Sequence, residues 1–126
     1  MIYQFALTGG YTVTPLDGVL SLAPNVNAIV DEPLLMSHIR NDDVDLTVDT
    51  PVAVNFGGVA SAHVIVLKAI GGPVVARVTS AAGVQQSIPF DTFLILMSTG
   101  SPATALDLTR QPATPTTVQV LLGEKA

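Results

Sequence analysis

Apolar and polar residues alternate with a period of two along most of the chain. The pattern is clearest over residues 44–56, 74–78, 106–109 and 118–122, where apolar side chains fall on every second position. Successive side chains of a strand point to opposite faces of a sheet, so this period is typical of half-buried strands. No helical spacing of apolar residues continues for more than about two turns. The chain is therefore predicted to consist of strands.

Two denser apolar runs, His63–Ile70 and Phe93–Met97, predict strands of a different kind. Runs with few polar positions are expected where a strand is covered on both faces. Both strands are therefore predicted to be buried and central in their sheets. We also predict that the core includes the side chains of Phe56, Phe90 and Phe93.

Turn residues separate these strands at intervals of about ten residues. Turns are predicted at Gly71–Pro73, Ala81–Gly83 and Thr99–Pro102, a bend at Thr50-Pro51, and an exposed loop at Gln111–Pro115. The tail Gly123–Ala126 is expected to fray. In the less regular N-terminal third, Tyr3–Leu7 predicts a strand, Asp17-Gly18 a hairpin turn, and Pro24–Glu32 a turn or one short helix.

About eight to ten short strands with regularly spaced turns indicate a sandwich or a barrel. We predict an all-β fold, specifically an antiparallel β-sandwich of jelly-roll type, with one domain over residues 1–126. An immunoglobulin-like sandwich is the alternative, and the absence of both Cys and Trp counts against it.

The composition indicates a chain that works in an assembly. Charged residues make up only 12% of the sequence, about half the usual share. Its polar surface must therefore come from hydroxyl and amide groups, which lose their water more easily than ions do. The chain contains no cysteine, which excludes disulfides, thiol nucleophiles and thiolate metal sites.

Acidic residues are concentrated in one segment. Residues 31–49 contain six carboxylates against Arg40, and the charges elsewhere cancel, so this segment carries the net charge of −5. Asp42, Asp43, Asp45 and Asp49 are the candidate docking patch for a basic partner. Two other interpretations stay open: a solvated turn, and a calcium site, although the glycine and glutamate of a calcium loop are missing. No basic stripe is present, so direct nucleic-acid binding is not expected.

Enzyme chemistry finds no support in the sequence. His38 and His63 show no paired spacing for a metal, and no serine lies in a Gly-x-Ser-x-Gly setting. We therefore predict no enzymatic activity, no catalytic residues, no metal and no cofactor. The longest apolar runs are too short to span a membrane, and no signal-peptide pattern begins the chain.

Several segments of the C-terminal half resemble small virion proteins of tailed bacteriophages. They are Ile88–Leu96, Ala105–Arg110 and Thr116–Glu124, and the preceding segment Val64–Thr79 is similar to these proteins as well. The Thr- and Ala-rich strands, the Pro-Thr loops and the low charge fit the same group. The similarity covers roughly the last half of the chain, and the N-terminal half, with the acidic segment, does not share it.

The resemblance implies a virion component present in many copies. Its implied role is that of a capsid decoration or cement protein, a jelly-roll module on the outer surface of the head. The protein would be made in the host cytoplasm. The implied partners are the major capsid protein, other copies of the chain, or both. The chain would form a trimer or dimer, and no binding to a membrane is implied. The alternative is a head-fibre, tail or baseplate accessory module that binds a receptor or carbohydrate.

Overall fold

The structure, a computed structural model, describes residues 3–5, 34–98 and 100–126. The chain divides into two compact units, one formed by Gln4–Leu35 and one by Met1–Tyr3 with Met36–Ala126. In the first unit, the predicted hairpin at Asp17-Gly18 and the predicted turn or helix over Pro24–Glu32 lie outside the described residues. The single domain over residues 1–126 stays a prediction.

The described residues form nine strands, which make up 64% of them, and none of these residues is helical. The strands are β1 (Tyr3–Phe5), β2 (Leu34–Leu46), β3 (Val52–Ala53), β4 (Val64–Ile70), β5 (Val74–Ser80), β6 (Gln85–Phe90), β7 (Phe93–Met97), β8 (Ala103–Arg110) and β9 (Thr116–Lys125). The predicted all-β class is confirmed.

Strands β2 to β9 form two antiparallel sheets of four strands each. Their orders are β2-β9-β4-β7 and β3-β8-β5-β6. In each sheet, strands from the first half of this region (β2 to β5) alternate with strands from the second half (β6 to β9). This is the order that two Greek keys produce in an eight-stranded jelly roll. The predicted antiparallel jelly-roll sandwich is therefore confirmed.

The core lies between the two sheets, where the alternating residues meet. The predicted inward positions of β5, β8 and β9 are confirmed, since their even-numbered apolar residues pack into one cluster. The largest fully buried core side chains are Leu46, Leu67, Leu106, Leu108, Leu122, Val74 and Val118. The odd-numbered residues of β5 and β9 point away from the core, as the pleat requires, whereas Ala103, at the beginning of β8, belongs to the core cluster.

The prediction that Phe93–Met97 is a buried central strand is wrong. β7 lies at the end of its sheet and pairs with β4, and the outward Phe93 is 57% exposed. The inward Leu94 and Leu96 pack against the core, so both faces of the strand are apolar for different reasons. An apolar run therefore indicates two apolar faces, but not that both are covered.

The second dense run, β4, is central as predicted but is covered on both faces only at its beginning. Val64 and Ile65 are buried, whereas Lys68 and Ile70 are exposed. Only its inward residues, such as Leu67, stay buried along the whole strand.

The prediction that Gly123–Ala126 frays is wrong for residues 123–125, which continue β9. Gly123 pairs with Ile39 of β2 and with Val64 of β4, and it is buried. The sulfur of Met36 fills the space above it, so that a Cβ at position 123 would overlap the sulfur. Pairing on both sides keeps the end of β9 ordered.

Candidate interaction surface

The side of the β2-β9-β4-β7 sheet that points away from the core is the outer face. Residues that pair across an antiparallel sheet lie side by side on the same face. The ladder registers therefore arrange the outer face in rows across the four strands. One row is Asp43, Gln119, Lys68 and Phe93, and the next is Asn41, Leu121, Val66 and Ile95.

The outer face is acidic at β2 and apolar at β7. Asp43 and Asp45 are exposed on β2. At the other side of the sheet, Phe93 and Met97 of β7 are 57% and 38% exposed. A shallow groove of about 400 Å³ crosses the middle of the two rows, between the acidic and the apolar side.

Of the four candidate aspartates, Asp43 and Asp45 share the outer face. They occupy alternate positions of β2 and pair with Gln119 and Thr117 of β9. The hydroxyl of Thr117 donates a hydrogen bond of 2.9 Å to Oδ1 of Asp45, which fixes the direction of that carboxylate. These two side chains form the acidic margin of the surface.

Asp42 lies on the opposite side of β2, because it pairs with the inward residue Val120. Its Oδ2 is 3.3 Å from Nη2 of Arg40, an ion pair in which both side chains are partly exposed. The Arg40 side chain in turn packs against Gly57 of the β3–β4 connection. The structure therefore separates Asp42 from the acidic margin and pairs it with the cation of the same strand.

Asp49 holds the connection between β8 and β9. Its Oδ1 accepts hydrogen bonds from the backbone N–H of Ala113 and from Nε of Arg110, each at 3.0 Å. The hydrogen bond from Ala113, together with the one from Arg110 and its positive charge, lowers the pKa of Asp49 below its ordinary value of 3.8. Asp49 therefore has a local structural role, away from the acidic margin.

The lowered pKa of Asp49 makes its contribution to stability depend on pH. A carboxyl with a lower pKa in the folded state stabilises the fold above its unfolded pKa, and this contribution disappears as pH falls through the folded pKa. We expect Asp49→Asn to lower the Tm at about pH 7, and the difference from the wild type to shrink between about pH 5 and pH 2. Thermal melts over this range test the prediction, and a difference that does not change with pH would contradict it.

The two histidines lie on opposite sides of the end of β9, in separate contacts. Nδ1 of His38 is 3.1 Å from Oε2 of Glu124. Nδ1 of His63 accepts a hydrogen bond of 3.0 Å from the backbone N–H of Lys125. Among the residues that the structure describes, no three His, Asp or Glu side chains converge as metal ligands.

A cleft of about 390 Å³ opens between the sheets beside β6 and β7. Its lining is mixed: it reaches the apolar Ile65, and its polar residues are Gln86, Ser80, Ser98 and Ser101. The hydroxyls of Ser80 and Ser98 accept hydrogen bonds from the backbone of their own turns. These two hydroxyls therefore stabilise their turns, and no contact of the cleft among the described residues singles out a ligand.

Sequence reasoning missed the row that joins Asp43 to Phe93. Strand alternation places Asp43 and Asp45 on one face, but only the registers of three ladders bring Gln119, Lys68 and Phe93 into line with Asp43. The sequence did carry one signal for Phe93. It alternates with Leu94 and Leu96, so its side chain points to the face opposite theirs.

No family model, curated protein or solved structure matches this chain. In the described part of the chain, no helix has the length and hydropathy that a membrane crossing requires.

Proposed function

We propose that the chain is a structural protein of a tailed-phage virion, a capsid decoration or cement protein that docks on the head shell through the outer face. The observation that supports this proposal is the exposed apolar side of that face, carried by Phe93 and Met97 on β7, on the same face as the acidic margin of Asp43 and Asp45 on β2.

This surface has the properties of a docking site. Monomeric proteins rarely expose large contiguous apolar patches, and such patches mark interaction sites when polar residues surround them. Apolar contact supplies the stabilising energy, because it removes hydrocarbon from water. The acidic margin contributes orientation and speed of association, since complementary charges steer partners toward each other. A basic ridge on the shell is the matching partner surface.

The proposal predicts that the chain is part of purified particles. Particles from the source that encodes the chain are banded on a density gradient, and their proteins are quantified by mass spectrometry. We expect the chain in the particle band, in many copies per particle, and surface labelling of intact particles to reach it. Absence from the band, or presence only in the soluble fraction, would overturn the proposal.

Removing the acidic margin should weaken docking without unfolding the protein. We expect Asp43→Asn with Asp45→Asn to lower the affinity for particles stripped of the chain several-fold at low salt, and by less at high salt, since salt screens exposed charges beyond about 8–10 Å. A matched control is Asp42→Asn with Asp107→Asn, which removes the same charge from the inward side of β2 and from the other sheet. Equal losses in both variants would show that net charge, not the acidic margin, determines docking.

One observation supports the alternative of a receptor- or carbohydrate-binding accessory module. The exposed ring of Phe93 lines the groove together with Lys68, Gln119 and Asp43, so an aromatic surface lies beside hydrogen-bonding groups. Binding to a glycan array that Phe93→Ala abolishes, with no binding to stripped particles, would favour this function over docking on the shell.

A further inference from the structure

Strand β7 has one side on which no described strand pairs. On its other side, the backbone hydrogen bonds to β4 show which residues of β7 direct their N–H and C=O groups toward β4. The N–H of Ala69 donates to the carbonyl of Thr92, and the N–H of Ser98 donates to the carbonyl of His63. The hydrogen-bonded pairs of this ladder therefore include 69 with 92 and 63 with 98.

Hydrogen-bonded and non-bonded pairs alternate along an antiparallel ladder. From these two pairs it follows that Leu94 and Leu96 direct their backbone groups to β4. Phe93, Ile95 and Met97 direct theirs to the free side, so three N–H and three C=O groups point away from the sheet. Their side chains carry no charge that would keep another strand away.

Other strands of the sandwich have protected sides, as is usual for sheet edges. β3 has only two residues. In β6, the bond from the N–H of Ser80 to the carbonyl of Val84 sets the same alternation and turns Pro89 to the free side, where proline offers no donor. β7 has neither a proline nor a charge, so within the described part of the chain nothing closes its free side to pairing.

We propose that β7 pairs with β7 of a second copy, antiparallel about a twofold axis at Ile95. In this register Ile95 lies opposite Ile95, and Phe93 lies opposite Met97 of the second copy. All the free backbone groups of β7 are then matched, giving six hydrogen bonds between the copies. The Phe93 ring meets a methionine sulfur, a favourable contact, and the sheets that contain β7 in the two copies become one continuous sheet.

Charge distribution favours a second copy as the occupant. The chain is acidic, with a net charge of −5, and copies would repel each other if their acidic margins met. Pairing through β7 places the two β2 strands seven strand spacings apart in the joined sheet. That separation is about 34 Å, well beyond the screening length of about 8–10 Å. Uncharged strands meet at the axis.

This inference goes beyond the proposed function, because it concerns the isolated chain and needs no particle. Two five-residue strands make a small interface, of the weak and transient class. The dimer should therefore form in the range of about 1–100 μM, and its assembly on a shell would be helped by the high local concentration there.

Proline at position 95 tests the pairing. Ile95→Pro removes a donor that faces away from β4, as Pro89 does in β6, so the fold should persist. We expect the wild type to dimerise over the micromolar range in sedimentation equilibrium, and Ile95→Pro to stay monomeric with an unchanged β circular dichroism spectrum. Ser87→Pro is the matched control, because it places proline on the free side of β6 and should leave the dimer intact.

Cysteine cross-linking tests the register, since the chain has no cysteine of its own. Ile95→Cys should form a disulfide-linked dimer on mild oxidation, because hydrogen-bonded partners have Cα atoms about 5.5 Å apart. Phe93→Cys alone should not, because its symmetry mate is displaced by four residues, about 13 Å. A mixture of Phe93→Cys and Met97→Cys should cross-link.

Four results would overturn the inference. They are a wild type that is monomeric at all concentrations, an oligomer of odd order, a dimer that Ile95→Pro leaves intact, and cross-linking of Phe93→Cys with itself. If Ile95→Pro unfolds the chain, Ile95→Lys gives the same test by placing two lysines opposite each other at the axis. Since these measurements use the isolated chain, their failure is distinct from a failure to bind particles.

Discussion

We expect Leu67→Ala to lower the free energy of unfolding by about 3–4 kcal/mol, as buried leucine-to-alanine changes do. Leu67 is fully buried on the central strand β4, where it pairs with Val120 of β9 and Leu94 of β7. Its inward side chain meets the second sheet across the core, so the deletion leaves a cavity that neither sheet can fill without moving.

Urea denaturation measures this effect, with Ile70→Ala as the control on the same strand. Ile70 lies on the outer face and is 47% exposed, so its truncation should cost less than about 1 kcal/mol. Equal effects of the two substitutions would contradict a core packed between the two sheets.

The second large effect is expected at Gly71, in the turn that carries the chain from β4 to β5. Its φ is +110°, and a Cβ there would lie 2.5 Å from the carbonyl oxygen of Pro115. Gly71→Ala therefore combines an unfavourable backbone conformation with a clash against backbone that cannot rotate away. We expect a loss of about 2–4 kcal/mol in the free energy of unfolding.

Two other glycines separate these contributions. Gly83 has a φ of +82° with open space around it, and Gly58 has open space and no positive φ. Gly83→Ala should cost about 1 kcal/mol, and Gly58→Ala less than about 0.5 kcal/mol. Thermal or urea unfolding of the three variants should follow this order, and a Gly71→Ala as stable as Gly58→Ala would contradict the close approach of Gly71 to Pro115.

Much of the sandwich could be predicted from the sequence, because alternation depends only on the pleat of a strand. Residues such as Leu106, Leu108 and Val118 show this, since each is buried as its position in the pattern predicts. The same pattern failed for Phe93–Met97. Sequence shows which faces are apolar, but the position of a strand within a sheet depends on which strands pair, and that is a property of the whole chain.

The acidic segment shows a second limit of sequence reasoning. The net charge of a segment counts residues that are adjacent in sequence, whereas a docking surface is formed by residues that are adjacent in space. Alternation along β2 divides Asp42 from Asp43 and Asp45, and the strand ends before Asp49, which bonds to Arg110 and Ala113 instead. Half of the predicted patch therefore lies together on the outer face.

The proposed function is that the chain strengthens a shell by docking through the outer face. The most direct measurement is the temperature at which particles release their DNA, before removal of the chain, after removal, and after the purified chain is added back. We predict that removal lowers this temperature, that the wild type restores it, and that Asp43→Asn with Asp45→Asn restores it only at higher protein concentration. If stripped particles are as stable as complete ones, or if the added chain neither binds nor restores stability, the account is wrong.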